Sequence, residues 1–252
     1  MQKRRNIPVN LPTEKSKPDK RWILQKFLVL GPGKIGKSQL FSHGEKTLFI
    51  ETEPGLNHLS VLKVPVRSWN DFREVCSELY RAQEKGSFPY DTVVIDTLDK
   101  LVERVSEEAI QLGKKKYPKV ADQIHTLGDV PNGNGWFWVS QLLSNALDKI
   151  TEFPCALVLI SHLSVRRIND GSREYDKDTI SLFKGVAENV LHWADHTLHI
   201  RATMRGDQIK RVIRTKPTES MEAGSRGQIV PDGFELDGDM AACYAKLRGL
   251  FD

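Results

Sequence analysis

The sequence has few cysteines and no long hydrophobic run. Its 252 residues include three cysteines, Cys76, Cys155 and Cys243, which are widely separated. A disulfide framework is therefore not expected, and a reducing compartment is. The first residues are charged and lack the apolar core of a signal peptide, and no apolar run approaches the length of a membrane span. A cytoplasmic protein without a membrane partner is the expectation.

Charge of one sign dominates only in places. The chain has 39% apolar and 28% charged residues with a mean hydropathy of -0.41, which is typical of a globular protein. Its net charge is only +4 although its pI is about 8.9. The basic excess is concentrated in short clusters, which could bind an anionic polymer or simply be solvated: Lys114 to Lys116, Arg166 with Arg167, and Lys210 with Arg211.

Residues 1–20 contain many basic residues, prolines and polar side chains with few large apolar groups. They predict a flexible basic N-terminal tail, followed by one domain over residues 21–252. Strand and helix patterns alternate along that domain, which predicts an α/β fold with a mostly parallel twisted sheet and helices on both faces. The segments 196–203 and 210–216 predict an antiparallel hairpin at one edge. Residues 113–135 and 163–184 are polar and predict two long loops.

A phosphate-binding loop follows the first predicted strand. GPGKIGKS, residues 31–38, fits G-x-x-x-x-G-K-[ST] and lies between the strand KFLVL and a predicted helix, which is the context that the motif requires. Lys37 is expected to reach the β- and γ-phosphates, and Ser38 to bind Mg²⁺. Pro32 stands where ParA-like ATPases carry an extra lysine, so that group is excluded. The predicted nucleotide-binding residues are Gly31, Pro32, Gly33, Lys34, Ile35, Gly36, Lys37, Ser38 and Gln39.

An acidic residue ends a second buried strand. TVVID, ending at Asp96, has the pattern of a Walker B strand, whose carboxylate holds a water on Mg²⁺. Two further acids, Glu51 and Glu53, end the strand TLFIE before a Pro-Gly turn. Local sequence leaves them open as solvated turn residues, ion-pair partners or a base directed at a water.

In this order the motifs resemble the RecA-like recombinase ATPases over residues 24 to about 220. The chain is most similar to the short single-domain phage versions, the Sak-type single-strand annealing and recombination ATPases of the phage nucleotide-binding AAA-type family. The resemblance implies a RecA-like P-loop NTPase core that binds and hydrolyses ATP with Mg²⁺. It aligns Glu53 with the water-activating glutamate, which makes Lys37, Glu53 and Asp96 the catalytic set and leaves Glu51 a structural acid.

The same resemblance implies roles at the strand that ends in ISH and at the edge hairpin. Ser161 and His162 match the polar γ-phosphate sensor that opens the second DNA-binding loop. Arg214 and Lys216 match two basic residues that reach the ATP of a neighbouring subunit. Arg226 is a further candidate for that interface, or a partner in a loop ion pair.

DNA binding is the implied task of the two loops. Basic residues with interleaved aromatic residues suit single-stranded DNA, through phosphate attraction and base stacking. The alternative is a pair of solvated loops, with Trp136 and Trp138 packing a helix. The implied partners are single-stranded DNA, further copies of the chain in a ring or filament, and a single-strand-binding protein. The expected DNA-binding residues are Lys114, Lys115, Lys116, Lys119, Arg166, Arg167 and Arg173.

Departures from the RecA pattern keep other functions open. The segment PGLNHLS, residues 54–60, lacks the aromatic residue that stacks on adenine in RecA. A P-loop protein outside recombination remains an alternative, either an ATP-dependent loader or regulator that binds a protein partner, or a small-molecule kinase.

Overall fold

The computed structural model describes residues 11–236 and 238–251. Residues 1–10, half of the predicted basic tail, lie outside the described residues. Residues 11–20 are exposed and have neither helix nor strand. No helix among the described residues is long and apolar enough to cross a membrane.

The chain alternates between strands and helices from residue 26 onward. Its strands are β1 Lys26–Leu30, β2 Thr47–Glu51, β3 Leu62–Pro65, β4 Thr92–Asp96, β5 Ala156–Ser161, β6 Leu163–Asn169, β7 Glu174–Ile180, β8 His196–Arg205, β9 Gln208–Arg214, β10 Gly224–Ser225 and β11 Phe234–Glu235. Its α-helices are α1 Lys37–Phe41, α2 Trp69–Glu84, α3 Leu98–Lys116, α4 Asn134–Ile150, α5 Lys184–Trp193 and α6 Met240–Arg248. Short 3₁₀ turns cover Trp22–Leu24, Pro118–Gln123, Leu127–Asp129, Pro131–Gly133 and Arg226–Gln228.

Nine strands form one sheet in the order β11-β9-β8-β1-β5-β4-β2-β3, with β10 beside the start of β8. The strands from β8 to β3 run parallel, and β9 turns back on β8 as an antiparallel hairpin. The predicted α/β fold, with a mostly parallel sheet and an edge hairpin, is confirmed. Because four central strands are parallel neighbours, the residues that follow β1, β2, β4 and β5 meet at one edge of the sheet.

Two apolar clusters cover the two faces of the sheet. Successive side chains of β1 point to opposite faces, so Leu28 and Leu30 belong to one cluster and Phe27 and Val29 to the other. The first face packs against α2, α3, α4 and α5, and the second against α1 and α6. Helices therefore lie on both faces of the sheet, as the sequence predicts.

Helix α2 shows how local sequence sets an element's start. The Ser68 hydroxyl accepts the Asp71 amide at 3.1 Å, and the Asp71 carboxylate accepts the Ser68 amide at 2.9 Å. This capping box satisfies two amides that have no partner inside the helix. Phe72 and Leu79 then lie on the buried face.

The prediction of two long loops is right for residues 117–133, apart from short 3₁₀ turns, and wrong for most of residues 163–184. Residues 114–116 form the last turn of α3, and three short 3₁₀ turns occupy most of the path to α4. The second segment is mostly the β6–β7 hairpin, paired from Leu163 with Ile180 to Asn169 with Glu174. The hairpin was missed because most residues of both strands are polar and only half-buried or exposed, so the alternation of apolar residues is weak there.

Candidate nucleotide site

The loop of residues 31–36 joins the end of β1 to the first turn of α1. Gly36 has φ of +103°, a left-handed conformation that favours glycine. A Cβ at Gly31 would lie 3.0 Å from the Ile200 carbonyl oxygen of β8, so any larger residue would press on that strand. The remaining loop residues Pro32, Gly33 and Lys34 are exposed, Ile35 is half-buried, and Gln39 on α1 is exposed.

Lys37 is folded back onto the loop. Its side chain is 6% exposed, and Nζ donates to the carbonyl oxygens of Gly31 at 2.7 Å and Pro32 at 2.9 Å. Burial lowers the pKa of Lys37, and the nearby charges of Asp96, Asp99 and Glu53 oppose that shift. The loop therefore holds a buried ammonium group among carbonyl and carboxylate oxygens.

The Walker B acid lies beside α1. Asp96 is 6% exposed at the end of β4, and the Ser38 hydroxyl lies close enough to lower the pKa of its carboxyl. Burial raises the pKa of Asp96, the negative charge of Glu53 raises it further, and Ser38 and Lys37 oppose the shift. The structure thus brings Ser38, Asp96 and Glu53 to the same edge of the sheet.

Glu51 and Glu53 have different surroundings. The Glu51 carboxylate is buried and forms ion pairs with Lys63 Nζ at 3.0 Å and Arg67 Nη2 at 3.3 Å. Burial alone would raise the pKa of Glu51. The Lys63 ammonium, the Leu56 amide and the Arg67 guanidinium outweigh that effect, so the pKa is lowered. Glu53 is half-buried and lies close enough to Lys37 and Asp96 to shift both pKa values.

Two residues at this edge were not predicted from the sequence. Thr52 is buried; its amide donates to the Asp96 carbonyl oxygen at 2.9 Å and its hydroxyl to the Thr97 carbonyl oxygen at 2.7 Å. It thereby fixes the residue before Glu53 against the end of β4. Asp99, three residues after Asp96, accepts the His162 amide at 3.1 Å. The signal for Asp99 was its place one turn into α3, beside the Walker B strand.

The predicted sensor residues end β5. Ser161 is fully buried; its hydroxyl donates to the His162 carbonyl oxygen at 3.4 Å and lies close enough to Asp99 to lower the pKa of that carboxyl. The His162 side chain is 40% exposed, with Nδ1 3.6 Å from Asp99 Oδ2. The structure therefore places both residues at the same sheet edge as Asp96.

The predicted interface residues are separated within one chain. Arg214 donates from Nε to Asp232 at 2.9 Å, and Lys216 is exposed. Arg226 forms an ion pair with Asp195 at 3.1 Å, beside the amino-terminal end of β1. A different arginine reaches the loop, because Arg211 of β9 donates to the Ile35 carbonyl oxygen at 3.4 Å. Its neighbour in the basic cluster, Lys210, pairs with Glu235.

The residues expected to bind DNA lie on a helix end and a hairpin. Lys114, Lys115 and Lys116 occupy the last turn of α3, where they also complement the negative end of the helix. Lys119 follows on an exposed 3₁₀ turn. Lys116 Nζ lies 5.1 Å from the centre of the Trp138 ring.

The hairpin arginines have partners. Arg166 donates to the Leu182 carbonyl oxygen, Arg167 lies 3.6 Å from Glu174, and Arg173 pairs with Glu219. Residues 163–180 contain four basic and four acidic residues, so the hairpin has no net charge. Trp136 contacts Phe183 edge to face at 5.0 Å, so the start of α4 lies beside the segment after β7.

The donor set fits Mg²⁺ bound to a nucleotide. No group of three or more histidine, cysteine or acidic side chains among the described residues could enclose a metal alone. Mg²⁺ in such sites instead takes one or two protein oxygens and completes its shell with waters and phosphates. The Ser38 hydroxyl and the Asp96 carboxylate would supply those oxygens beside the loop.

Two individual proteins are similar to this chain. The chain is 31% identical over 72 residues to the SPbeta prophage-derived uncharacterized protein YorG of Bacillus subtilis (strain 168). That alignment covers 28% of this chain and 22% of the relative, so the chain matches only a small part of its length. The KaiC-like protein PH0186 from Pyrococcus horikoshii OT3 superposes with a TM-score of 0.43 at 13% identity, covering 80% of this chain and 81% of that chain.

The family comparison spans most of the chain. The family AAA_24, described as AAA domain, matches residues 24–227, which include the phosphate-binding loop, the Walker B strand and the β8–β9 hairpin. The protein carries an AAA-type P-loop domain, and the chain belongs to the AAA_24 family.

Proposed function

We propose that the protein is a Mg²⁺-dependent ATPase. The observation that carries the proposal is the convergence of Lys37, Ser38, Asp96 and Glu53 at one edge of a parallel sheet. A phosphate loop with a buried lysine provides binding, and a nearby glutamate free of the ion pairs that hold Glu51 provides a group to orient water. Phosphoryl transfer needs positioning and charge stabilisation more than covalent chemistry, and this set supplies both.

Each residue has a distinct task in this proposal. Lys37 would exchange its carbonyl partners for β- and γ-phosphate oxygens, and loop amides would bind the remaining phosphate oxygens. Ser38 and Asp96 would hold Mg²⁺, which neutralises developing charge on the phosphates. Glu53 would accept a hydrogen bond from the attacking water and align it with the γ-phosphorus atom.

A neighbouring copy would complete the site. We assign Arg214 and Lys216 to the phosphates of an adjacent subunit in a ring or filament. Lys216 is exposed and thus accessible, whereas Arg214 would have to exchange its contact with Asp232. Electron microscopy with a non-hydrolysable ATP analogue tests this, and a monomer under all nucleotide conditions contradicts it.

Two substitutions separate binding from turnover. Lys37→Ala should abolish binding of a fluorescent ATP analogue, whereas Glu53→Gln should retain binding and lose hydrolysis. Lys46→Ala and Glu45→Gln are matched controls because both residues are exposed and lie before β2. Equal phosphate release by wild type and Glu53→Gln would remove Glu53 from the mechanism, and absence of ATP binding by wild type would end the proposal.

DNA is the second component of the proposal, in recombination, annealing or repair. The observation that favours it is a cluster of four basic residues within six positions, Lys114, Lys115, Lys116 and Lys119. Lys116 Nζ lies 5.1 Å from the centre of the Trp138 ring, so an aromatic side chain accompanies the cluster. The neutral β6–β7 hairpin gives weaker electrostatic support. We therefore expect the lysine cluster to carry most of the phosphate contacts.

The lysine cluster and the hairpin can be compared directly. Changing Lys114, Lys115, Lys116 and Lys119 to Gln should weaken binding of single-stranded oligonucleotides. The salt dependence should also become flatter, by about 0.7 in log–log slope for each phosphate that the variant no longer neutralises. Arg167→Gln with Arg173→Gln is the matched hairpin variant. ATP hydrolysis unaffected by any DNA would contradict the recombination role and favour a loader that binds a protein partner; phosphate transfer to a small acceptor would indicate a kinase.

A further inference from the structure

Asp99 connects the nucleotide site with the strand that leads into the β6–β7 hairpin. It lies in the first turn of α3, and its side chain is 15% exposed. Oδ2 accepts the His162 amide at 3.1 Å and lies 3.6 Å from His162 Nδ1. On the other side its charge acts on Lys37 more strongly than that of Glu53 does. One carboxylate thus contacts the residue after β5 and also influences the charge of the phosphate-loop lysine.

His162 in turn supports the base of the hairpin. Its carbonyl oxygen accepts the Ser181 amide at 3.0 Å, directly after β7. Arg166 of β6 donates to the Leu182 carbonyl oxygen, which closes the same base from the opposite strand. The backbone of His162 therefore bonds to Asp99 through its amide and to the hairpin base through its carbonyl oxygen.

The second carboxylate oxygen of Asp99, Oδ1, is buried and makes no hydrogen bond with any described residue. A buried acceptor without a partner is unfavourable, and such groups mark positions where another donor binds. Burial also raises the pKa of Asp99, which the His162 amide and the Ser161 hydroxyl oppose. Asp99 is thus held in an environment that a bound cation or a water on that cation would relieve.

We propose that Asp99 is a positioning residue that couples nucleotide binding to the β6–β7 hairpin. It holds the His162 ring near Asp96 and accepts the amide of the residue whose carbonyl oxygen binds Ser181, so a change at the phosphate loop moves the hairpin base. The simpler role for an acid in the first turn of α3 is stabilisation of the helix N-terminus, which involves neither His162 nor the hairpin. The inference rests on the proposed nucleotide binding, and separate measurements distinguish the failure of one from the failure of the other.

Asp99→Asn and Asp99→Ala remove different interactions. Asparagine retains an oxygen that can accept the His162 amide but loses the charge beside the imidazole and Lys37. Alanine loses both. Glu103→Gln, one turn further along α3 and paired with Lys100 at the surface, is the matched control.

Hydrogen exchange and steady-state kinetics are the measurements. In wild type and Glu103→Gln, an ATP analogue with Mg²⁺ should slow exchange of amides in residues 163–181. In Asp99→Ala that slowing should vanish although the analogue still binds. Asp99→Asn should lower kcat about tenfold with KM for ATP changed less than about twofold, since it removes a charged hydrogen-bond partner but no phosphate contact. Adding Asp99→Asn to His162→Gln should then have little further effect on kcat.

The outcomes are distinguishable. Full analogue-dependent protection of the hairpin in a folded Asp99→Ala, or unchanged kcat in Asp99→Asn, overturns the coupling role. Additive losses in the double variant show that Asp99 acts without His162, which also overturns it. Should Asp99→Ala fail to fold by circular dichroism, the Asp99→Asn kinetics and the double variant decide. Wild type that binds ATP without hydrolysing it overturns the ATPase, while the exchange measurement still tests Asp99.

Discussion

The acidic side chains at the two ends of the parallel sheet differ in whether they have ion-pair partners. At the amino-terminal end, the acids that precede β4 and β8 are matched: Asp91 pairs with Arg248 at 2.8 Å, and Asp195 with Arg226 at 3.1 Å. At the carboxyl-terminal end, Asp96 and Asp99 form no ion pair with a described lysine or arginine. Burial raises the pKa of both.

Polar groups at the amino-terminal end also satisfy one another. Trp22 donates from Nε1 to the Thr92 hydroxyl at 2.8 Å. His196 is fully buried, yet its two ring nitrogens lie 2.9 Å from Ser225 Oγ and 3.0 Å from Gln25 Oε1. These polar atoms are used within the fold, whereas the Thr47 hydroxyl at the start of β2 is buried without a hydrogen-bond partner among the described residues.

The difference teaches where stability and function reside. Buried acids that lack a matching cation lower the stability of the free protein, and such positions accumulate where a ligand supplies the missing charge. Substitutions at the carboxyl-terminal end should therefore affect activity and leave stability unchanged or raised. Substitutions at the amino-terminal end should do the reverse.

Asp96→Asn should give the largest effect. Loss of the carboxylate that supports Mg²⁺ should lower kcat for ATP about 100-fold or more, which corresponds to about 3 kcal/mol. Because burial raises the pKa of Asp96, its carboxylate is less favourable in the folded protein than in water, and the neutral amide should leave the free energy of unfolding unchanged or raise it. Phosphate release and urea unfolding at pH 7 test both parts. A variant that is both inactive and clearly destabilised would break the contrast between the two ends.

The pH dependence of His196 should come next in size. Burial lowers its pKa to about 4, whereas the unfolded value is 6.5. As pH falls below 6.5, His196 is protonated in the unfolded chain but not in the folded chain. Its contribution to stability is therefore fully present above pH 6.5 and is lost toward pH 4. Between pH 7 and pH 5 the loss should be about 2 kcal/mol.

Urea unfolding at the two pH values measures that loss. His196→Gln should reduce the difference between them, and His43→Gln, on an exposed residue, should not. An unchanged pH dependence in His196→Gln would assign the effect to other groups, such as His199, whose pKa burial also lowers.

Much of the sheet could be predicted from sequence because its strands are buried runs between clear breaks. Three predicted strands end where expected: KFLVL, TLFIE and DTVVID. The glycines between the first strand and α1 fit the phosphate-loop motif and so predicted the loop. The β6–β7 hairpin could not be predicted, because both strands are rich in polar residues. Their pairing depends on the register between the two strands, which no local pattern shows. The extent of α3 was missed at Lys114 to Lys116, where charge indicated a loop although lysine is a good helix former.

The site divides in the same way. Lys37, Ser38 and Asp96 follow from local motifs, and the structure brings them together. The roles of Thr52 and Asp99 depend on contacts with residues that are distant in sequence; for Asp99 the local signal was only its position just after the Walker B strand. The cis contact of Arg211 with the loop likewise depends on how the β8–β9 hairpin extends past β1.

Glu51→Gln sharpens the comparison within the carboxyl-terminal end. Unlike Asp96 and Asp99, Glu51 forms ion pairs with Lys63 and Arg67. Its substitution should therefore lower stability and spare activity, as expected for the acids at the amino-terminal end. We expect a loss of about 2 kcal/mol in the free energy of unfolding, because two cations lose their shared carboxylate. Its kcat per folded molecule should stay within about twofold of wild type. A kcat as low as that of Glu53→Gln would show that Glu51 acts on the water instead.

Asp195→Asn should give the smallest effect. Its carboxylate lies 3.1 Å from Arg226 and 3.5 Å from Lys26, both partly exposed, so solvent weakens each pair. The free energy of unfolding should fall by about 1 kcal/mol, with kcat for ATP unchanged, since β1 separates this position from the phosphate loop. Arg226→Gln should cause a similar decrease, and the double variant should add little because both changes remove the same ion pair. If Arg226→Gln instead abolished hydrolysis while Asp195→Asn did not, Arg226 would act on the ATP of a neighbouring copy, and the amino-terminal end would no longer be purely structural.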